Sequence, residues 1–238
     1  ICDAEQSEGI YDEVGFNEHG VAMSATVSAS PGKAAEEADP LVENGLSEAS
    51  MTTVVLPYIT TAREGIQRIA DIVDKYGSAE GNIIFIADDK ESWYMEIYSG
   101  HQYAAVKVPD DMYAVVPNHF LLGYVDTASK DVIASKDLIN LAKAKGFYKE
   151  VDGKFHAALT YGEEMTDYDR VRLWGGQNKL SPSAKVAYDT KLFSLWRKAD
   201  KKIALEDVME LQRYRYEDTD KNANLPENAG VRAIGTPT

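Results

Sequence analysis

Several residues in this sequence have types and spacings that could do chemistry. In "VVPNHF", Asn118 follows a hydrophobic stretch ending in Pro117. Asparagine in that setting is a common turn former. At a strand end, its amide NH2 is also placed to donate to a developing oxyanion. In "DYDRVRLW", Arg170 and Arg172 stand two apart and share a face if the segment is extended. A guanidinium fork can grip a carboxylate there, or the two arginines can bridge to surface acids. Ser24, Thr26, Ser28 and Ser30 fall on one side of a period-2 strand. The whole run from Val21 to Ser30 carries small side chains, which add little to a core but let another backbone or a ligand approach closely. Such a hydroxyl face is either solvated or the lining of a polar pocket. In "WYMEIYSGHQY", Trp93, Met95 and Ile97 oppose Tyr94, Glu96 and Tyr98, which predicts a half-buried strand with a solvated Glu96. Trp93 and Glu96 are read as structural.

Other chemistries lack a foothold. His19, His101, His119 and His156 show no metal-ligand spacing, no glycine-rich phosphate loop follows a strand, and Gly-x-Ser-x-Gly does not occur. No cofactor or metal is expected. A net charge of −14, from 39 acidic and 25 basic residues, argues against nucleic acid as a partner. No apolar run approaches the roughly 20 residues of a membrane-spanning helix. Cys2 is the single cysteine, so an intrachain disulfide is excluded, and a reducing cytoplasm is the expected location. It precedes Asp3, Ala4, Glu5 and Gln6. Nearby carboxylates raise a thiol's pKa and reduce its thiolate fraction, so Cys2 reads as a loop thiol without catalytic role.

The elements that must position these residues are legible in part. "NEHG" (17–20) is a hairpin turn with Gly20 at positive φ, leading into a strand over 20–30. Ser50 is a candidate cap for a short helix through "MTTVVLPYI". "TAREGIQRIADIVDKYG" (61–77) is the clearest helix, with a Thr61/Glu64 capping box, apolar residues on one side and Gly77 as a left-handed C-cap. "NIIFIAD", "SWYMEIYS", "QYAAVKV" and "MYAVVPN" (112–118) predict a four-stranded antiparallel meander. Beyond residue 130, "SKDLINLAKAKG" reads as a helix capped by Ser135, "DGKFHAALTYG" as a strand, and "ALEDVMELQRYRYE" (204–217) as a helix. The opening "ICDAEQSEG" reads as a loop and the closing "VRAIGTPT" as a strand entering a turn. Helices around an antiparallel sheet predict an α+β fold. Without a repeat or a low-complexity linker, residues 1–238 read as one domain.

The stretches "GIYDEVGFNEHGVAMSATVSAS", "DPLVENGLSEASMTTVVLPYITTAREGIQRIADIVDKYGSAEGN", "WYMEIYSGHQYAAVKVPDDMYAVVPNHF" and "DYDRVRLW", in this order, resemble the PepD-like cysteine dipeptidases of the N-terminal nucleophile (Ntn) hydrolase superfamily. The resemblance implies a four-layer α/β/β/α sandwich of antiparallel sheets, incomplete in this chain. It implies dipeptide substrates and an N-terminal cysteine nucleophile with its own α-amine as base. The family's Cys-Thr-Thr-like start is absent, and its members are about twice as long. The chain is therefore expected to be an internal piece lacking the nucleophile. By analogy with the related bile-salt and penicillin V hydrolases, Asn118 matches an oxyanion-side asparagine and Arg170 an arginine that orients the nucleophile. Ser24, Thr26 and Ser28 would line the substrate site. Asn118 is expected to lie near that strand.

Two other readings fit the sequence. One is an amidase of the same superfamily acting on other N-acyl substrates. The other is a catalytically inert fragment or binding module. Self-association into a homo-oligomer is compatible with the sequence.

Overall fold

The computed structural model describes residues 12–27 and 29–235. The expectations for Cys2, for Ser28, for the opening loop through Gly9 and for the last three residues fall outside them. The chain divides into two compact units, Ile1–Val108 with Leu122–Glu163, and Pro109–Leu121 with Glu164–Thr238.

The first unit is built on a six-stranded sheet whose strands neighbour one another in chain order: β1 (Val14–Phe16), β2 (Ala22–Val27), β3 (Asn82–Ala87), β4 (Ser92–Ile97), β5 (Tyr103–Lys107) and β6 (Val132–Ala134). Every pairing is antiparallel. The hairpin joining β1 to β2 is organised by Asn17. Its Oδ1 accepts the backbone N–H groups of His19 and Val21, both at 3.0 Å, and Gly20 takes φ 76°. Its Nδ2 donates to the carbonyls of Leu56 and Ile59 at 2.9 and 2.8 Å, tying the turn to a loop 39 or more residues away. The turn expected from "NEHG" is thus also a tertiary anchor.

Among the described residues, five α-helices belong to this unit: α1 (Lys33–Ala38), α2 (Glu48–Val55), α3 (Ala62–Tyr76), α4 (Leu138–Lys145) and α5 (Ala157–Tyr161). The capping box on α3 forms as its sequence predicts, with Thr61 accepting from the Glu64 N–H while Glu64 reaches back to Thr61 N–H. Gly77 has positive φ (75°), but its ψ of 176° is not that of a left-handed cap. Ile66, Ile69, Ala70 and Val73 of α3 bury against one face of the sheet, with Met23, Ala25, Ile84, Ile86, Trp93, Met95 and Ile97. That face is the core. Burial of each large aliphatic contributes about 1.5–3 kcal/mol.

Several expectations are corrected here. Residues 112–118 do not join the sheet; β6 takes the free edge of β5 instead, with Ala105 opposite Ile133. Pro117 lies within the expected strand, and proline supplies no ladder donor. Ser135 does not cap α4, whose N-cap is Asp137; the Ser135 hydroxyl donates to Gln102 Oε1 at 2.8 Å. Ser47, not Ser50, precedes α2. "DGKFHAALTYG" is the second half of a hairpin, β7 (Glu150–Val151) and β8 (Lys154–Phe155), followed by α5. Asp152 and Gly153 both have positive φ, the signature of a tight two-residue turn. Glu96 is fully buried rather than solvated. Its Oε1 accepts the Leu122 N–H at 3.0 Å and the Tyr94 hydroxyl, so the sheet face expected to meet water meets Leu122 instead.

The second unit has α6 (Asp167–Leu180) as its spine and α7 (Leu205–Arg213) as its other α-helix among the described residues. "DYDRVRLW" is therefore helical. Val171 packs with Tyr214 and Tyr216, supported by Trp174, Tyr188, Val231 and Ile234. Gly175 allows this packing, since a Cβ there would fall 2.3 Å from the Tyr216 ring.

Candidate active site

The segment Pro109–Leu121 runs antiparallel along α6. Near its start, the Tyr113 hydroxyl donates to the Gln177 carbonyl at 3.1 Å and lies 2.7 Å from Ser181 Oγ. Val115 then packs over Gly176, where a Cβ would come within 2.7 Å of Val115 Cγ1. Asn118 reaches Arg172, one helical turn before Gly176. Positions 172 and 176 share one face of the helix. This face fixes the height of Asn118 along α6, and the missing Cβ at Gly176 sets how closely the segment approaches.

Arg172 is nearly buried and fully committed. Its Nη1 donates to Asn118 Oδ1 at 2.6 Å, its Nη2 to Asp169 Oδ1 at 2.7 Å and its Nε to the Tyr168 carbonyl at 3.0 Å. The guanidinium also lies over the Tyr168 ring, 4.1 Å from its centroid. Asp169 is held in turn by the Thr166 hydroxyl at 2.8 Å. Thr166 is the N-cap residue of α6, so the ion pair stands on the first turn of the helix. A guanidinium has donors only. The Asn118 atom facing it must therefore be the carbonyl oxygen, and the NH2 end faces away. Among the described residues that NH2 has no acceptor. The half-buried Asn118 thus presents a hydrogen-bond donor whose partner is not among the described residues.

The other expected site residues are each described within their own unit. Arg170 and Arg172 do not share a face, because two residues on a helix are about 200° apart. Arg170 donates to the Thr190 carbonyl at 2.8 Å, pairs with Asp167 at 3.7 Å and lies over Phe193. Ser24 is exposed in β2, between Val14 of β1 and Phe85 of β3, while its neighbours Met23 and Ala25 face the core. Thr26, also on β2, stands in register with Ile83 of β3. Ser28 lies outside the described residues. His119 follows Asn118 and is partly buried. Burial holds its imidazole below the usual histidine value, the Asp169 charge opposes that shift and the Arg170 charge adds to it.

A second cluster has the residue types of a triad but not its geometry. Asp39 Oδ2 accepts from Ser99 Oγ at 2.8 Å and from the His101 N–H at 2.6 Å, while Oδ1 lies 3.0 Å from His101 Nδ1. Serine and histidine both engage the carboxylate, whereas an activated serine needs the histidine for itself. This cluster clamps the turn between β4 and β5. Among the described residues no group of three or more His, Cys, Asp or Glu side chains could hold a metal ion, and no helix is long and apolar enough to cross a membrane.

Sequence reading missed Thr166, Asp169 and Gly176, and it placed Arg172 on an extended segment beside Arg170. A signal was present: Thr166 stands three residues before Asp169, the spacing of a helix start. Reading "TDYDRVRLW" as helical places Asp169 and Arg172 three apart on one face.

The profile of peptidase family C69 matches residues 1–234. A probable dipeptidase B from Streptococcus pyogenes serotype M1 is 52% identical over 221 residues, covering 92% of this chain and 44% of its own length. A probable dipeptidase from Latilactobacillus sakei is 37% identical over 223 residues, covering 90% and 46%. A probable dipeptidase A from Streptococcus pyogenes serotype M1 is 35% identical over 236 residues, covering 92% and 48%. The chain thus spans about half the length of the curated relatives it matches. Matched by the family profile along nearly all of its sequence, the chain belongs to peptidase family C69.

Proposed function

We propose that the full-length protein is a cysteine dipeptidase. In this reading the cysteine's α-amine takes the thiol proton, and the sulfur attacks the carbonyl carbon of a dipeptide. The carbonyl oxygen becomes an oxyanion that the Asn118 NH2 stabilises. Collapse of the tetrahedral intermediate breaks the C–N bond as the α-ammonium returns its proton to the leaving nitrogen, and the second amino acid is released with a free amine. Water then hydrolyses the thioester and restores the thiol. The nucleophile is not assigned to Cys2, whose acidic neighbours would disfavour the thiolate. Arg170 is given the role of orienting the nucleophile. Ser24, Thr26 and Ser28 line the substrate path, and the exposure of Ser24 is compatible with that.

The observation that carries this reading is the C69 match together with relatives named as dipeptidases. The wider expectations belong to the same reading: a four-layer Ntn sandwich, of which residues 1–238 are part of one domain, and a cytoplasmic location. The test is to incubate the full-length protein with a panel of dipeptides and, in parallel, with N-acyl amides such as penicillin V and conjugated bile salts. Release of free amino acids from dipeptides supports the reading. Hydrolysis of the N-acyl amides alone would make the protein an amidase, and no turnover of either class would leave a binding module.

A further inference from the structure

We infer that Arg172 is a positioning residue of the reaction, which locks the Asn118 side chain with its NH2 end turned toward the oxyanion. This rests on the dipeptidase reading above and adds the device that fixes the donor.

The chemistry of the contact carries the inference. A free asparagine amide can turn by 180° about its last torsion, exchanging donor for acceptor at little steric cost. In the flipped state its oxygen would face a developing negative charge and repel it. Arg172 excludes that state: its Nη1 can only donate, at 2.6 Å, so a flip would set an NH2 against a guanidinium. The guanidinium itself cannot swing aside. Asp169 holds Nη2 at 2.7 Å, the Tyr168 carbonyl holds Nε at 3.0 Å, and the Tyr168 ring lies against its face. Arg172 and Asp169 are 9% and 6% exposed, so water does not compete effectively for these bonds. Three side-chain hydrogen bonds in series, from Thr166 to Asp169, from Arg172 to Asp169 and from Arg172 to Asn118, therefore link the first turn of α6 to one amide orientation. Fixing a donor before the charge appears is what makes such a group effective in the transition state. Lysine keeps the charge but has no planar fork to serve Asp169 and Asn118 together.

The test uses the full-length protein and its best dipeptide, with Arg172→Lys, Asn118→Ala and the double variant. Circular dichroism confirms that each is folded. Arg172→Lys should lower kcat by about 10- to 100-fold with KM within about threefold of the parent, because the lost interaction matters mainly in the transition state. In the Asn118→Ala background the same change should lower kcat by less than about threefold, since the amide it positions is gone. If Arg172→Lys does not fold, Asp169→Leu, which has a similar shape and no acceptor for Nη2, is read in the same way. Parental kcat in the folded Arg172 or Asp169 variant overturns the inference alone. So does a double variant whose losses multiply, which would mean that Arg172 acts without Asn118. A parent that hydrolyses no dipeptide overturns the dipeptidase reading, and this inference with it.

Discussion

Arg172 Nη1 lies 2.6 Å from Asn118 Oδ1, across 54 residues of sequence. The contact converts a side chain that could present either end into one that presents a donor. It also makes the first turn of α6, and not a loop, the reference against which Asn118 is placed. Each step that holds this placement can be removed singly.

Gly176 is the closest step. Alanine would ordinarily stabilise a helix interior by about 0.5–1 kcal/mol relative to glycine. Here its Cβ would fall 2.7 Å from Val115 Cγ1, which is too close for a branched side chain to accommodate without moving. Gly176→Ala should lower the melting temperature by several degrees and push the 113–118 segment off α6, with a loss in kcat of about tenfold. Thermal melts and steady-state kinetics of the full-length variant check this. A more stable, fully active variant would mean that the segment has room to spare.

Asp169 supports Arg172 from within the helix. Removing one partner of a buried pair strands the other charge, at a cost of about 3–5 kcal/mol. Asp169→Ala should therefore reduce unfolding free energy by about that amount, read as a shift in urea midpoint at unchanged slope. A shift below about 1 kcal/mol would show that Arg172 reaches water when its partner is lost.

Acid should weaken the fold through two histidines. Burial lowers the pKa of both His119 and His156 from the ordinary value of 6.5. His156 Nδ1 also accepts the Leu159 N–H at 3.3 Å as the cap of α5, and protonation there removes the acceptor. With the folded pKa depressed, the unfolded chain takes up protons first as pH falls. These histidines therefore contribute full stability above about pH 6.5. That stability is lost as pH falls from there through the folded values. Melting temperatures between pH 8 and pH 5 should show the decline. His119→Gln with His156→Asn should flatten it, since asparagine preserves a cap acceptor. An unchanged slope in the double variant would assign the decline to other groups.

Much of the first unit could be read in the sequence because local signals and packing agree there. The Thr61/Glu64 box starts α3, and the two faces of β4 separate Trp93 from Tyr94 as alternation requires. The misreadings came where tertiary context decides. Val115 and Val116 look like a strand by side-chain type, yet Pro117 and the β6 edge keep the segment out of the sheet. Glu96 alternates as a solvent-facing residue should, and nothing local announces that Leu122 covers it. Asn118 was singled out by its residue type. Its contact with Arg172 was not legible, because "DYDRVRLW" was read as extended with both arginines on one face, and in a helix the two part company.

The central claim is that Asn118 is a fixed hydrogen-bond donor in a dipeptidase. Its most direct test is Asn118→Asp in the full-length protein. The substitution keeps the shape of the side chain and gives Arg172 a carboxylate oxygen to hold, so the fold around α6 should survive. It removes the NH2 and puts an acceptor in its place. Loss of one preorganised donor of this kind costs about 10²–10³ in kcat. The account predicts at least that loss for dipeptide hydrolysis, with KM little changed and the melting temperature at or above that of the parent. A folded Asn118→Asp variant with kcat within about threefold of the parent would contradict it.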